Sequence, residues 1–254
     1  MHDRHDAFGR ALLDTYLKNG GFAVIERDDG LTSVDRPFAR YFATFTKWGL
    51  CERRAIRLVR GRVLDIGAGA GRHSLYLQNK GFRVTAIDPS PAAVELGRLR
   101  GIRDVREKSL ADLTPCDGRF DTILMFGNNF GLFGSFREAR KLLRMLAQLT
   151  SRRGQILATS TDPYRTTDPV HLAYHRRNRS LDRMSGQLRL RVKYKLRTST
   201  WFDYLLVSEA EMRQIVEGTG WEVGEILADD GPAYVARLVK CRDQRSEVRG
   251  QKRP

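Results

Sequence analysis

The sequence predicts an α/β protein built on a doubly wound, mostly parallel sheet. Three observations carry that prediction. From Arg62 onward, apolar strand-like runs alternate with amphipathic helical ones, the pattern of strands joined by crossover helices. The turn GAGAG (67–71) closes the first apolar run and opens a helix. Asp88 ends the second run, 21 residues beyond Gly67.

The elements follow in order. RVLDIG (62–67) is a buried strand, and HSLYLQNK continues as a helix. FRVTAID (82–88) is the second strand, followed by helix PAAVELGRLR. VREKSL is a weak third strand and FDTILMFG (120–127) a strong fourth. In SFREARKLLRMLAQLT, Phe136, Ala139, Leu142, Leu143, Leu146 and Leu149 form one apolar stripe, as on a helix covering a sheet. GQILATST is the fifth strand. The alternation breaks after Thr161, so residues 162–200 read as an inserted lid. WFDYLLV is then a short strand. SEAEMRQIVEGTG is a helix with Ser208 as N-cap and Glu211 three residues on, the capping-box spacing. A closing hairpin turns at Asp230-Gly231. Residues 1–54 carry aromatics without strand alternation and read as a helical N-terminal cap before a domain spanning 55–240. The tail 241–254 is basic and poor in apolar residues, which predicts disorder.

Composition narrows the class. The chain of 254 residues has 41% hydrophobic residues, which suits one globular domain. No run approaches the ~20 apolar residues of a membrane span. The polar start MHDRHDAFGR does not resemble a signal peptide. Cys51, Cys116 and Cys241 are widely spaced and odd in number, which favours a reducing cytoplasm over a disulfide framework or a metal site. The net charge is +15. Residues 171–197 hold nine Lys/Arg against Asp182 alone, whereas 198–239 hold two against eight Asp/Glu.

The glycine loop carries the sharpest chemistry. Glycine is needed where backbone takes positive φ or must touch a ligand without a Cβ in the way. A nicotinamide site needs a third small residue for close helix packing beside a pyrophosphate. Arg72 stands there instead, and Asp65 would oppose a phosphate. A carboxylate at Asp65 suits a cationic ligand without phosphate, and S-adenosylmethionine is such a ligand. Asp88 sits where a carboxylate can accept both ribose hydroxyl protons. The competing interpretation is a bare strand-to-helix turn.

VLDIGAGAGRHSLYLQNKGFRVTAIDPSPAAVE resembles the S-adenosylmethionine-binding motifs of class I methyltransferases, and LMFGNNFGLFG resembles their type-11-like bacterial branch. The resemblance covers about residues 55–160 closely and 201–240 in outline. It implies a Rossmann-like, seven-stranded sheet with the last strand antiparallel. It also implies that Asp65, Gly67, Ala68, Gly69 and Gly71 hold the methionine part, Asp88 the ribose, and Pro89 the adenine. The family often places Asp after the third strand to meet the adenine amino group. Here Ser109 stands in that place, leaving the main chain around Leu110, or Asp112, for the contact.

In such a sheet, ligands sit beyond the carboxyl ends of the strands. Phe126, Asn128 and Asn129 therefore become the wall of the acceptor site, because a neutral amide can both donate and accept. The alternative is a capping pair opening the next loop. GNNF lacks the N/D-P-P-aromatic tetrapeptide of nucleobase-amine methyltransferases. His171, with His175 one turn later, and Tyr164 are candidate catalytic residues in the lid. No third ligand joins the histidines, so no metal is expected.

QLRLRVKYKLR (187–197) alternates strictly between apolar residues and five cations, a strand with one wet face. Cations ~7 Å apart repel by roughly 0.6 kcal/mol in water, so that face stays solvated or meets anions. It cannot line a centre that binds a cationic cofactor. Its partner would be an acidic small molecule drawn in by steering, nucleic acid, or the acidic segment 198–239. The expected function is methyl transfer from S-adenosylmethionine to N or O of a small-molecule acceptor. The alternatives are an RNA methyltransferase and a catalytically idle nucleic-acid-binding protein of the same fold.

Overall fold

The computed structural model describes residues 5–18 and 21–241. The chain begins with helix α1 (Ala7–Tyr16), the hairpin β1 (Ala23–Arg27) and β2 (Thr32–Asp35), and helix α2 (Leu50–Ala55). The alternating part runs through β3 (Val63–Ile66), α3 (Arg72–Asn79), β4 (Val84–Asp88), α4 (Pro91–Leu99), β5 (Val105–Glu107), β6 (Phe120–Met125), α5 (Phe136–Gln148) and β7 (Thr150–Thr161). After it come α6 (Pro169–Ser180), β8 (Gln187–Tyr194), β9 (Arg197–Thr198) and β10 (Phe202–Leu205). Helix α7 (Glu209–Val216) and the hairpin β11 (Trp221–Ala228) and β12 (Ala233–Lys240) close the described chain.

A seven-stranded sheet has the order β11-β12-β7-β6-β3-β4-β5. Its central pairs are parallel, and β12 runs antiparallel to both of its neighbours. All four residues of β3 are buried, as a strand covered on both faces must be. On one face Ala139, Leu143 and Leu146 of α5 share a cluster with Phe120, Ile123 and Trp221. On the other, Trp48, Cys51 and Ala55 pack with Leu77, Leu124 and Phe126. Ser208 and Glu211 form the reciprocal cap on α7 that their spacing indicates. Among the described residues, no helix is long and apolar enough to cross a membrane.

The expectation of a helical N-terminal cap holds for α1, the 3-10 turns of residues 38–47 and α2, but not for the segment between α1 and those turns. Residues 23–35 form a hairpin, and β1 pairs antiparallel with the basic strand β8. The second sheet has the order β10-β8-β1-β2, with β9 beside β8. AVIER is a β-favouring run, and Asp28-Asp29-Gly30 is a turn sequence with Gly30 at φ 88. The sheet partner lies far along the chain, with Glu26 opposite Arg191, so local periodicity could not reveal it.

The cationic face of β8 is paired within the protein. Glu26 accepts from Arg191 Nε at 2.8 Å and lies 2.5 Å from Lys193 Nζ. Arg189 lies 3.6 Å from Asp203, its register partner on β10. Lys195 Nζ donates to the buried Asp14 of α1 at 2.7 Å. Only Asp203 of these anions comes from the acidic segment 198–239. The strand also ends earlier than its alternation implies. Lys195 turns at φ 51 and Leu196 is fully exposed. The tail expected to be disordered lies, beyond Cys241, outside the described residues.

Candidate functional site

The site is assembled at the carboxyl ends of β3, β4 and β6. Gly67, Gly69 and Gly71 have φ of 69, 54 and 73, three left-handed positions that residues with a Cβ resist. A Cβ on Gly67 would stand 2.7 Å from Asn129 Nδ2. The loop is thus a cradle closed by side chains and open only where glycine leaves room.

Two carboxylates border it. Asp65 is buried, and its Oδ2 accepts from Ser74 Oγ at 2.6 Å. Burial pushes its carboxyl upward, while His73, Ser74 and Arg72 oppose that shift. Asp88 Oδ2 accepts from Gly69 N–H at 2.9 Å, and Oδ1 from Ser90 N–H at 3.0 Å. Burial raises Asp88 to about 6, with Asp6 and Asp65 adding to the effect. Main-chain donors therefore hold Asp88 against the loop, in place beside Ala68 and Gly69. Pro89 is exposed next to it, and Leu110 is buried after β5. Ser109 and Asp112 bond each other in a capping box, so the Asp112 carboxylate is turned back on Ser109. Arg100 is engaged by the Ala70 carbonyl and Arg72 by Glu52, so the positive-φ glycines and the two carboxylates fit a cofactor that has a cationic centre and a vicinal diol.

Phe126, Asn128 and Asn129 take three different roles. The Phe126 ring points into the core and meets His73 edge-on at 5.0 Å. Asn129 Nδ2 donates to the carbonyls of Ile66 at 2.8 Å and Gly67 at 2.9 Å. It clamps the glycine loop from below. Asn128 adopts φ 71, and its Oδ1 accepts from Thr161 Oγ1 at 3.3 Å. Asn128 O accepts from Tyr204 O–H at 2.5 Å.

Tyr204 belongs to β10, so the second sheet reaches the end of β6 through this phenol. Gly131 permits the approach, because a Cβ there would overlap the Tyr204 ring. WFDYLLV gives no sign of this contact beyond its aromatic content. Sequence reasoning also missed Glu52. Its buried carboxylate accepts from Arg72 Nη2 at 3.0 and 2.8 Å and lies 3.6 Å from His73 Nε2. Although burial opposes it, His73 and Arg72 hold Glu52 below its ordinary range.

The lid candidates lie elsewhere. His171 Nδ1 is 3.0 Å from Arg27 Nη1, and Tyr164 O–H donates to Glu211 at 2.7 Å. Neither hydrogen-bonds to the glycine loop, Asp88 or Asn128. His175 is buried 6.0 Å from the Tyr164 ring, and burial lowers its pKa.

Comparison with known proteins bears on this geometry. A methyltransferase domain family matches residues 38–226. Over 104 residues the chain is 38% identical to a cypemycin N-terminal methyltransferase from a Streptomyces species, covering 40% of this chain and 42% of that protein. Over 74 residues it is 38% identical to a ubiquinone biosynthesis O-methyltransferase of Xanthomonas euvesicatoria, covering 27% and 31%. The chain thus matches less than half the length of these curated relatives. A solved methyltransferase from Bacteroides fragilis, in complex with S-adenosyl-L-homocysteine, superposes with a TM-score of 0.81 at 28% identity, over 95% of this chain and 97% of that one. With the seven-stranded topology, the glycine cradle and its two carboxylates, this chain belongs to the class I S-adenosylmethionine-dependent methyltransferases.

Proposed function

We propose that this protein transfers a methyl group from S-adenosylmethionine to nitrogen or oxygen of a small-molecule acceptor. The observation that carries the proposal is the loop Gly67–Gly71, with its three left-handed glycines, set between Asp65 and Asp88 at the carboxyl edge of the sheet. When bound, the cofactor supplies an electrophilic methyl group on a sulfonium. Asp65 and the loop carbonyls would hold the methionine end, Asp88 the ribose hydroxyls, and the main chain near Leu110, with Ser109 and Pro89, the adenine. Catalysis of this kind depends chiefly on alignment, which can contribute on the order of 7–11 kcal/mol. Asn128, tied to Thr161 and Tyr204, borders the acceptor side. Asn129 supports the loop. The engagement of His171 by Arg27 and of Tyr164 by Glu211 supports a lid role for both.

Two of the relatives above are named for N-terminal methylation of cypemycin and for O-methylation in ubiquinone biosynthesis, which supports a small acceptor and leaves N and O both open. The internal pairing of the β8 cations with Glu26, Asp203 and Asp14 weakens the case for an RNA substrate. Calorimetric titration should show binding of S-adenosylmethionine and S-adenosylhomocysteine and none of NAD or NADP. Labelled methyl transfer into a fractionated extract should give a small, nuclease-resistant product. NAD binding without a response to S-adenosylmethionine would end the proposal. A nuclease-sensitive product would replace the acceptor with RNA.

A further inference from the structure

We propose that Asp6 is a positioning residue for the cofactor: its carboxylate pins α1 over the glycine loop and, through Ser90, holds Asp88 in place for the ribose. The proposal rests on the role given to Asp88 above.

One carboxylate caps two helices here. Asp6 Oδ1 accepts from Gly9 N–H of its own helix at 3.1 Å. Its Oδ2 accepts from Ser90 Oγ at 2.7 Å and from Ala92 N–H at 3.0 Å, at the start of α4. Both helix N-termini therefore direct free N–H groups and positive dipole ends at one anion. The two helices meet closely, since a Cβ on Gly9 would overlap Ser90 Oγ. A residue later in the same helix, Leu12, lies over the cradle, 3.6 Å from where a Gly69 Cβ would stand. Ala7, Ala11 and Leu12 share a cluster with Ala70 of the loop and Ala92 and Leu96 of α4. Helix α1 is thus a roof over the cofactor loop, and Asp6 fastens its edge.

Ser90 transmits the effect. Its hydroxyl donates to Asp6 and accepts from Ala93 N–H, while its own N–H donates to Asp88. The charged side chains facing Asp88 are Asp6 from α1 and Asp65 from β3. Lys108, whose main-chain N–H donates to the Asp88 carbonyl, sends its amine to Asp117 instead. Burial and the two carboxylates raise Asp88 to about 6. Ribose hydroxyls are best accepted by the carboxylate form, so cofactor binding should weaken as pH falls through that value.

The test is calorimetric titration with S-adenosylhomocysteine between about pH 5 and 8, on the full chain and three variants. Asp6→Asn should weaken binding at the upper end of that range by roughly tenfold, the scale of one charge-assisted hydrogen bond. It should also move the pH midpoint of binding down by about half a unit, because a like charge has left the neighbourhood of Asp88. Loss of affinity by the same factor at every pH would make α1 a cover only and overturn the positioning of Asp88. Wild-type affinity together with an unmoved midpoint would overturn the whole proposal. If Asp6→Asn does not fold, Asp6→Ser, a neutral residue that caps helices well, decides between the same outcomes. Asp88→Asn keeps the two proposals separate. Unchanged affinity there removes the ribose role itself, whereas lost affinity there with a silent Asp6→Asn removes only the role of Asp6.

Discussion

Removal of the Asn129 amide is the most direct probe of how the cofactor loop is held. Asn129 Nδ2 makes two bonds, to the carbonyls of Ile66 and Gly67. Neutral hydrogen bonds contribute roughly 0.5–1.5 kcal/mol each, so Asn129→Ala should cost about 1–3 kcal/mol. Ile66 is buried, and its freed carbonyl would lack a ready water partner, which places the cost toward the upper end. For a protein of this size, thermal unfolding should shift down by roughly 2–4 °C per kcal/mol. Much of the loss falls on the loop that holds the cofactor. Affinity for S-adenosylhomocysteine should therefore drop by about 1–2 kcal/mol, roughly 5- to 30-fold. Asn129→Asp should do at least as much damage, because it sets a carboxylate oxygen against two carbonyl oxygens. The assays are thermal unfolding and calorimetric titration. Wild-type values of both in Asn129→Ala, with turnover alone reduced, would refute the clamp and return Asn129 to direct contact with the acceptor.

Charge reversal on β8 should loosen the second sheet. Arg191→Glu with Lys193→Glu would set two carboxylates beside Glu26, and amide hydrogen exchange should rise across 23–27 and 187–194; unchanged protection would show that the pairing is unimportant. The Arg191 and Lys193 hydrogen bonds hold Glu26 at about 2, below its ordinary 4.5. Its contribution is therefore fully present above 4.5 and lost as pH falls through about 2, which exchange measured along an acid series should trace. Gly131→Ala should cost about 1–3 kcal/mol by overpacking against Tyr204. Tyr204→Ala should relieve most of that cost in a double-mutant cycle on thermal stability, and strictly additive effects would count against the contact.

The cofactor half of the site was legible in the sequence because its signals are local. Asp65, the glycines and Asp88 sit on consecutive strand-turn-helix units, where backbone demands are written residue by residue. The Asn129 amide was visible as a polar side chain at a strand end, but its direction was not. A residue just past a strand can face an acceptor or turn under the neighbouring strand, and the packing of Leu132 and Asn129 against Gly67 decides which. Asp6 gave less sign, since its partners on α4 are more than eighty residues away.

The sequence by itself determined the doubly wound sheet, the glycine loop and its two carboxylates, and the alternation that makes 187–194 a two-faced strand. Buried strands and helix stripes are periodic, and periodicity is a local property. Only the tertiary structure decided what the second face meets. The alternation of β8 permitted solvent, nucleic acid or an internal partner. Its antiparallel register with β1 set Glu26 opposite Arg191 and beside Lys193, and the turn after it brought Lys195 to Asp14. A charged strand face reports that it needs water or anions. Which anions it receives depends on strand pairing between segments some 165 residues apart, a distance over which no local pattern carries information.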